Sequence, residues 1–375
     1  MLILTNARIV TPSEVFCGTL VAEDGKIARI DSEVTSTPGA VDCQGDFLIP
    51  GLIDLHTDAL ERHMSPRTGV RWPSQAALLT HDAHIAGSGI TTVFDSISMG
   101  VLGEDEAAHR ELAQTWVEAM ASLEDAHLRA EHILHLRLEL PHPFIVNAFL
   151  EFATLPALGL VSLMDHSPGH GQYADVERWR RNLRFASTEE EADKRLRRKL
   201  ELREQYAEPN RERLAAIAME RGLPLASHDD RTEQEVTRAA SLGVTISEFP
   251  VTLEAAAAAK RHRMSVVMGG PNLVLGRSHS GNAAASDVAN SGWLDCLSSD
   301  YVPASMLHGA FLLAQEHGFS LPGAIATVTS RPAAIAGLAD RGSLQEGLRA
   351  DLARVRCVNE APQPVALWRR GTRVA

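Results

Sequence analysis

The chain has 375 residues, 45% of them apolar and only 5% aromatic, with a formal net charge of −12. That apolar share excludes a disordered or collagen-like chain, and the acidic balance argues against a nucleic-acid partner, which asks for a basic face. No stretch of about 20 residues is both apolar and uncharged, so no membrane partner is expected.

The negative charge does not exclude an anionic substrate, because a few arginines or a metal ion reverse the field inside one cleft. Met1 to Val10 lacks the charged leader and apolar stretch of a secretory signal. Cys17, Cys43, Cys296 and Cys357 are scattered without paired spacing. They read as reduced thiols, which places the protein in the cytoplasm. The length fits a barrel of about 250 residues plus a smaller unit.

Leu2 to Leu4, Ala7 to Val10, Gly18 to Ala22 and Ile27 to Ile30 read as short strands. Thr5-Asn6 and Glu23-Asp24-Gly25-Lys26 supply the turns between them. From Phe47 short apolar runs alternate with long helical patterns, the signature of βα units around a parallel sheet. Eight strands are expected: Leu52 to Leu55, Thr91 to Phe94, Leu134 to Leu140, Leu160 to Met164, Leu223 to Ala226, Val244 to Ile246, Ser265 to Met268 and Leu294 to Leu297. Eight is the number that closes a (β/α)8 barrel. Ser187 to Glu208 is dense in charges of alternating sign and reads as a long solvated helix, with a lid over the site as its alternative. The tail Val365 to Arg370 is strand-like. Paired with the N-terminal pieces it forms a small β-sandwich domain from both chain ends. The expected division is 1–46 with 344–375 for that domain and 47–343 for the barrel.

Catalytic groups of such barrels sit where strands end at the C-terminal face. Here strand after strand ends in a side chain able to bind metal. The first ends in His56-Thr57-Asp58, with His56 and Asp58 two apart and so on one face. The third ends in Arg137-Leu138-Glu139-Leu140-Pro141-His142, the fourth in Asp165-His166, the fifth in His228-Asp229-Asp230 and the eighth in Asp300. A lone buried histidine is commonly a satisfied core residue. Five such endings are another matter, because unpaired buried carboxylates are costly and a bound cation offsets the cost. The expected metal ligands are His56, Asp58, Glu139, His166, His228 and Asp300. Mixed imidazole and carboxylate ligation suits one or two divalent cations, Zn²⁺, Mn²⁺ or Fe²⁺. Asp300 is the choice for orienting a water and moving its proton, and Glu139 for a carboxylate bridge between two metals. Asp165 and His166 point to opposite faces of a regular strand, and His166 is preferred. Glu248, on the sixth strand, is a rival ligand.

The seventh strand ends in Gly269-Gly270-Pro271-Asn272 and leads to Gly276-Arg277-Ser278-His279-Ser280-Gly281-Asn282. Glycines allow close backbone approach, and the polar side chains donate hydrogen bonds. Asn272, Arg277, Ser278, His279 and Asn282 are therefore candidates for holding an oxyanion, with an ordinary polar loop as the alternative. Arg67, Arg71, Arg137 and His142 are further candidates. His81-Asp82-Ala83-His84 looks helical, either supporting the site or opening a polar helix.

Phe47-Leu48-Ile49-Pro50-Gly51-Leu52-Ile53-Asp54-Leu55-His56 resembles the opening of the amidohydrolase superfamily, as do Asp24-Gly25-Lys26-Ile27 and Gly347 to Leu352. Within it the chain resembles the α-D-ribose 1-methylphosphonate 5-triphosphate diphosphatases of phosphonate breakdown. The stretches that carry this are His56-Thr57-Asp58, Ala130-Glu131-His132, Leu134 to His142, Ser162 to His166, Ala226 to Asp230, Ser247 to Pro250, Ser278 to Asn282 and Ser298 to Tyr301. The resemblance implies hydrolysis of a phosphorylated ribose, with pyrophosphate leaving. Two departures stand out: Asp58 replaces the usual second histidine of the opening, and no lysine sits at a strand end. The polar tail Leu352-Ala353-Arg354-Val355-Arg356 is a third, in the small domain. The competing readings are a cyclic-amide hydrolase or ring deaminase of the same superfamily, and a non-catalytic scaffold that binds partners. The sequence is compatible with a homo-oligomer and does not dictate one.

Overall fold

A computed structural model of the chain describes residues 1–67, 69–100, 106–173, 175–184, 188–278 and 281–375. The N-terminal strands are β1 (Leu2–Val10), β2 (Val15–Glu23), β3 (Lys26–Asp31), β4 (Val41–Asp42) and β5 (Phe47–Pro50). The barrel strands are β6 (Leu52–Thr57), β7 (Ile90–Met99), β8 (Glu131–Glu139), β9 (Leu158–Met164), β10 (Leu225–His228), β11 (Ile246–Glu248), β12 (Ser265–Gly269) and β13 (Cys296–Ser298). The chain ends in β14 (Leu352–Val358), β15 (Ala361–Arg369) and β16 (Thr372–Arg373).

The first sheet runs β16-β15-β14-β5-β1-β2-β3, with β4 beside β1, so both chain ends share it. It curls until Ile27 N donates to Leu348 O and Ala350 N to Gly25 O. Leu4, Ile9, Leu20, Ile27, Leu48, Leu352 and Trp368 fill the core it encloses. The expected break at Thr5-Asn6 is instead a bulge inside one continuous strand. Asn6 takes a left-handed φ of 53°, which asparagine tolerates, and pairing resumes at Ala7. Asp24 and Gly25 turn the next hairpin with φ of 48° and 78°, as its sequence predicted. Phe47–Pro50, grouped by sequence with the barrel, pairs with β1 and β14 and belongs to this sheet. The polar tail is explained here too. Arg354 and Arg356 on β14 both reach the Asp46 carboxylate, Arg354 Nε at 2.6 Å.

The second sheet holds eight parallel strands in sequence order, β6 to β13, as expected for a (β/α)8 barrel. The crossings use α1 (Ala59–Met64) with α2 (Ser74–Gly87), α3 (Glu106–Ala121), α4 (Ile145–Phe152), α5 (Val176–Arg184) with α6 (Glu189–Glu220), α7 (Glu233–Ser241), α8 (Leu253–Arg261), and α9 (Gly270–Val274) with α10 (Ala285–Asn290). After β13 come α11 (Ser305–Glu316), α12 (Leu321–Ala326) and α13 (Ser330–Ile335). The seam between β6 and β13 is bridged twice. Thr327 and Val328 carbonyls accept from Leu297 N and Ile53 N, and Asp300 N donates to His56 O at 2.9 Å. Buried Asp54 ties the same seam, its Oδ1 accepting from His56 N and Ser299 N.

The barrel interior changes from apolar to polar in a single step along each strand. Phe94, Leu160, Ala226, Ile246, Val267 and Cys296 form one apolar cluster with Ile53 and Leu55. Two residues further on, the same inward face presents Ser96, Ser162, His228, Glu248, Gly269 and Ser298. The apolar layer is the floor of the site. The polar layer above it opens toward the C-terminal face.

The charged segment expected as a long helix lies in α6, 32 residues capped by the Thr188 and Glu191 side chains. Asn210 on α6 donates to the carbonyls of Leu140 and His142, which pins the helix across the end of β8. Among the described residues no helix is long and apolar enough to cross a membrane.

Candidate active site

A cleft with about 230 Å³ of room opens at the C-terminal ends of the strands, lined by His56, Asp58, Arg137, His228, Asp229 and Asp300 among others. Every barrel strand is fixed there by its ladder, so the side chains at the rim are held by rigid elements. His56 and Asp58 both line the cleft, although β6 is irregular against β7 between Asp54 and Thr57. Asp58 N donates to Asp300 O at 3.0 Å, which brings these two carboxylates to neighbouring positions.

Glu248 is the hub. It is 1% exposed, and it accepts from His56 Nδ1 at 2.8 Å and from the Ser162 hydroxyl at 2.8 Å. His135 Nε2 lies 2.6 Å from that same hydroxyl. Burial opposes ionisation of Glu248, but the His56 and His135 imidazoles outweigh it and hold the carboxyl below its ordinary range. Burial also opposes a charge on His56, and Glu248 outweighs it, raising the imidazole. His135 receives less help, and burial pushes it down to about 3, so it stays neutral. His56, His135 and Glu248 together offer ligand atoms close enough to share one cation.

A second group comprises His166, His228 and Asp229, again with converging ligand atoms. Glu139 does not enter either group. Its Oε1 accepts a hydrogen bond from His166 Nδ1, and its Oε2 accepts from His166 N at 3.3 Å. His166 Nε2 is thereby left toward Asp229 Oδ2, 3.6 Å away. Burial opposes protonation of His166, yet Glu139 and Asp229 push it up to about 10. Asp165 points away from the cleft, its Oδ2 held by Arg203 Nε of α6 at 2.7 Å.

The residues present fit a divalent cation. Buried Asp58 Oδ1, His166 Nε2, Asp229 Oδ2 and both His228 ring nitrogens make no hydrogen bond, although Asp229 Oδ2 stands 3.3 Å from His228 Nδ1 and 3.6 Å from His166 Nε2. Orphaned buried imidazole and carboxylate atoms are costly as they stand and are the donors that divalent transition metals prefer. The protons that Glu248 and Glu139 draw onto His56 and His166 are ones a cation would displace.

The backbone bends at the same places. Asp229, Phe249 and Asp300 have φ of 60°, 55° and 52°, a region disfavoured for residues other than glycine. Phe249 sets its ring against His56 and His228, with centroids 4.9 and 5.3 Å away. Burial raises the Asp300 carboxyl, and Asp58 adds to that, while His56 and Arg137 pull it back.

On the substrate side the structure brings Arg137, Asn272, Ser278 and Asn282 to the cleft. Arg137 Nε is buried without a partner. Asn272 sits on α9, donating to Ala283 O and accepting from Ala285 N, which ties the residues before α10 to α9 beside the cleft. Gly270 is required there, since a Cβ would meet the Ser305 side chain at 2.6 Å and its backbone at 3.1 Å. Arg67 and Arg277 are exposed and do not line the cleft. His142 is buried in the turn after β8, facing Phe144. His279 lies outside the described residues.

Sequence reasoning missed Asp229, Arg62, His135 and Tyr301. Alternation signalled one of them, since His135, Arg137 and Glu139 share a face of β8. Arg62 had a helical signal, lying four residues after Asp58 and one turn along α1. The left-handed turn that swings Asp229 inward leaves no mark in a pattern of apolar residues.

A comparison with protein families matches residues 83–362 to the amidohydrolase family. The α-D-ribose 1-methylphosphonate 5-triphosphate diphosphatase of Escherichia coli (strain K12) is 41% identical over 378 residues, covering 100% of both chains. The dihydroorotase of a Wolbachia species is 34% identical, over only 24% of this chain and 20% of its own. Among solved structures, dihydropyrimidinase from Brevibacillus agri superposes with a TM-score of 0.66 at 13% identity, over 100% of this chain and 95% of its own. A 5-methylcytosine deaminase from Klebsiella pneumoniae gives 0.67 at 15%, over 100% and 97%. At such identities the two structures attest the fold, while the family match and the full-length relative carry the assignment: this chain belongs to the amidohydrolase family.

Proposed function

We propose that this chain hydrolyses α-D-ribose 1-methylphosphonate 5-triphosphate, releasing pyrophosphate and leaving the 5-phosphate, the activity named for its full-length relative. The observation that carries the reading is one cleft in which imidazole and carboxylate atoms without hydrogen-bond partners face a half-buried arginine whose Nε has no partner. Such a site serves an anionic substrate over a cation.

A divalent cation held there, Zn²⁺, Mn²⁺ or Fe²⁺, supplies Lewis acidity and lowers the pKa of water. Its ligands in this reading are His56, Asp58, His166, His228, Asp229 and Asp300, of which His166, His228 and Asp229 already bring ligand atoms together; the reading takes one or two ions. Glu139 and Glu248 act through the histidines, fixing ring orientation and tautomer. Asp300, with its carboxyl raised by burial, accepts the proton of the attacking water. Arg137 and Arg62 stand where charge grows on the equatorial oxygens and the departing pyrophosphate. Asn272, Ser278 and Asn282 close over the phosphates.

Two other readings are weaker. A cyclic amide is neutral and gives Arg137 no counter-charge, and the dihydroorotase likeness covers a quarter of the chain or less. A scaffold has no use for orphaned ligand atoms. Four free cysteines support a reducing, cytoplasmic setting. The division into a small domain from both chain ends and a central barrel belongs to the same proposal, with its boundary moved past Pro50. The test is ³¹P NMR of the purified protein with added Mn²⁺ or Zn²⁺ and this triphosphate. Pyrophosphate should appear, and Asp300→Asn should abolish it. An unchanged spectrum from metal-loaded protein rejects the substrate, and cyclic amides are then the panel to try.

A further inference from the structure

The histidines on α1 and α2 are not used by the cleft. His81 is fully buried, and its Nε2 is bound to Asp95 Oδ1 at 2.8 Å. Asp95 also accepts from His132 Nδ1 at 2.9 Å and from the Trp116 indole at 2.7 Å. His81 Nδ1, by contrast, is buried without any partner. A carboxylate on one ring nitrogen fixes the tautomer so that the other nitrogen carries a lone pair. That is the arrangement by which proteins prepare a histidine for metal.

Two further imidazoles stand beside it. The His63 ring centroid is 5.6 Å from that of His81 and 5.8 Å from that of His84. His81 and His84 are three apart on α2 and so share a helix face. With Zn–N bonds of about 2.0–2.1 Å in a tetrahedral site, bound imidazole centroids sit about 5.2 Å apart. The spacings of His63 to its two neighbours, 5.6 and 5.8 Å, exceed that value by about half an ångström, so the rings must draw inward to share an ion. Exposed His84 and half-buried His63 have the freedom to turn their nitrogens inward.

We propose that His63, His81 and His84 form a second metal site, separate from the cleft, that takes a borderline late transition cation such as Zn²⁺, Co²⁺ or Ni²⁺. Three neutral imidazoles with no carboxylate in the first shell select these over Mg²⁺, Ca²⁺ and Mn²⁺. Asp95 positions His81 from behind and is not itself a ligand. The site joins α1 to α2, and α1 carries Arg62 into the cleft. A cation at His63 therefore tethers the helix on which a cleft residue rides.

The experiment is Co²⁺ loading of the full-length protein, removal of excess metal, and counting of bound cobalt with its visible spectrum recorded. Wild-type protein should hold one equivalent more than His84→Ala, and the difference spectrum should be that of tetrahedral or five-coordinate Co²⁺. His84 is exposed, so the variant should fold. In crystals of loaded wild-type protein, anomalous scattering should place cobalt about 2.1 Å from His81 Nδ1. Equal cobalt counts in wild type and His84→Ala, or no anomalous peak beside His81, overturns the proposal.

Discussion

Replacing Glu248 by Gln keeps the shape of the hub and removes its charge. Glu248 receives two hydrogen bonds of 2.8 Å, from His56 and from Ser162, and its Oε2 lies 3.8 Å from His228 Nε2. A hydrogen bond to a charged acceptor is worth about 1.5–3 kcal/mol and a neutral one about 1, so the amide weakens the His56 contact by roughly 1 kcal/mol. His56 Nδ1 then no longer feels a full negative charge, and its other nitrogen becomes a poorer donor to metal. For a residue that acts through a ligating histidine, the expected loss of metal affinity is about 10–100-fold, or roughly 1.4–2.7 kcal/mol. The assay is metal Kd by competition with a chelator, alongside kcat with saturating metal. If Glu248 were itself a ligand, affinity would fall well beyond 100-fold. A Kd within twofold of wild type, with kcat unchanged, refutes the reasoning altogether and makes Glu248 a structural acid.

Arg137→Met should raise KM by roughly 10–100-fold through loss of a charge-assisted contact. It should also raise the Tm, because an unpartnered buried guanidinium nitrogen disappears; a fall in both Tm and KM contradicts the assignment. His132 is lifted from 6.5 to about 9 against its burial by Asp95 and Asp82. Its contribution, roughly 3 kcal/mol, is complete below pH 6.5 and disappears as pH rises through about 9. Urea unfolding from pH 6 to 10 should show that decline in wild type and a flatter curve in His132→Gln; parallel curves reject it. Asp300 has a φ of 52°, so Asp300→Gly should be more stable than Asp300→Ala by about 1 kcal/mol in urea titration, with both inactive. Equal stabilities would show that the turn stores no strain.

The barrel was legible because each strand is short, apolar and followed by a periodic helix. The eight expected strands all occur, and they differ from the observed ones at their ends. The junction of the two sheets was not legible. Phe47 to Ile53 is one run without a polar side chain, and the chain passes from the small sheet to the barrel at Gly51 within it. The mark of that passage is steric: a Cβ on Gly51 would collide with the Thr91 side chain. Strand-end logic pointed to His56, Asp58, His228 and Asp300, which line the cleft, and to His166 beside Asp229, because each follows from where a strand stops. It failed for Arg67 and Arg277, which lie on turns whose course no periodicity records. For Glu139 it expected a bridging carboxylate, and in the structure the carboxylate hydrogen-bonds to His166, since which atom it reaches depends on the strand beside it. Just past the end of β9 that atom is His166 Nδ1.

The three left-handed residues show how the site is shaped beyond its ladder. Asp229 N donates to Glu248 O, Phe249 N to Val267 O and Asp300 N to His56 O, at 3.0, 2.9 and 2.9 Å. Each residue therefore keeps the sheet pairing for one more step while its φ turns the chain away from the strand direction. An ordinary strand continuation would send the next side chain to the outer face of the barrel. The left-handed turn breaks that alternation, which is how adjacent His228 and Asp229 both come to line the cleft. Such conformations cost on the order of 1–3 kcal/mol each, and here the ladder bonds on the neighbouring strand hold them in place. The density of ligand-type atoms around the cleft is thus a product of backbone geometry as much as of residue choice. A scaffold under no demand to bind a cation would relax at these three positions first.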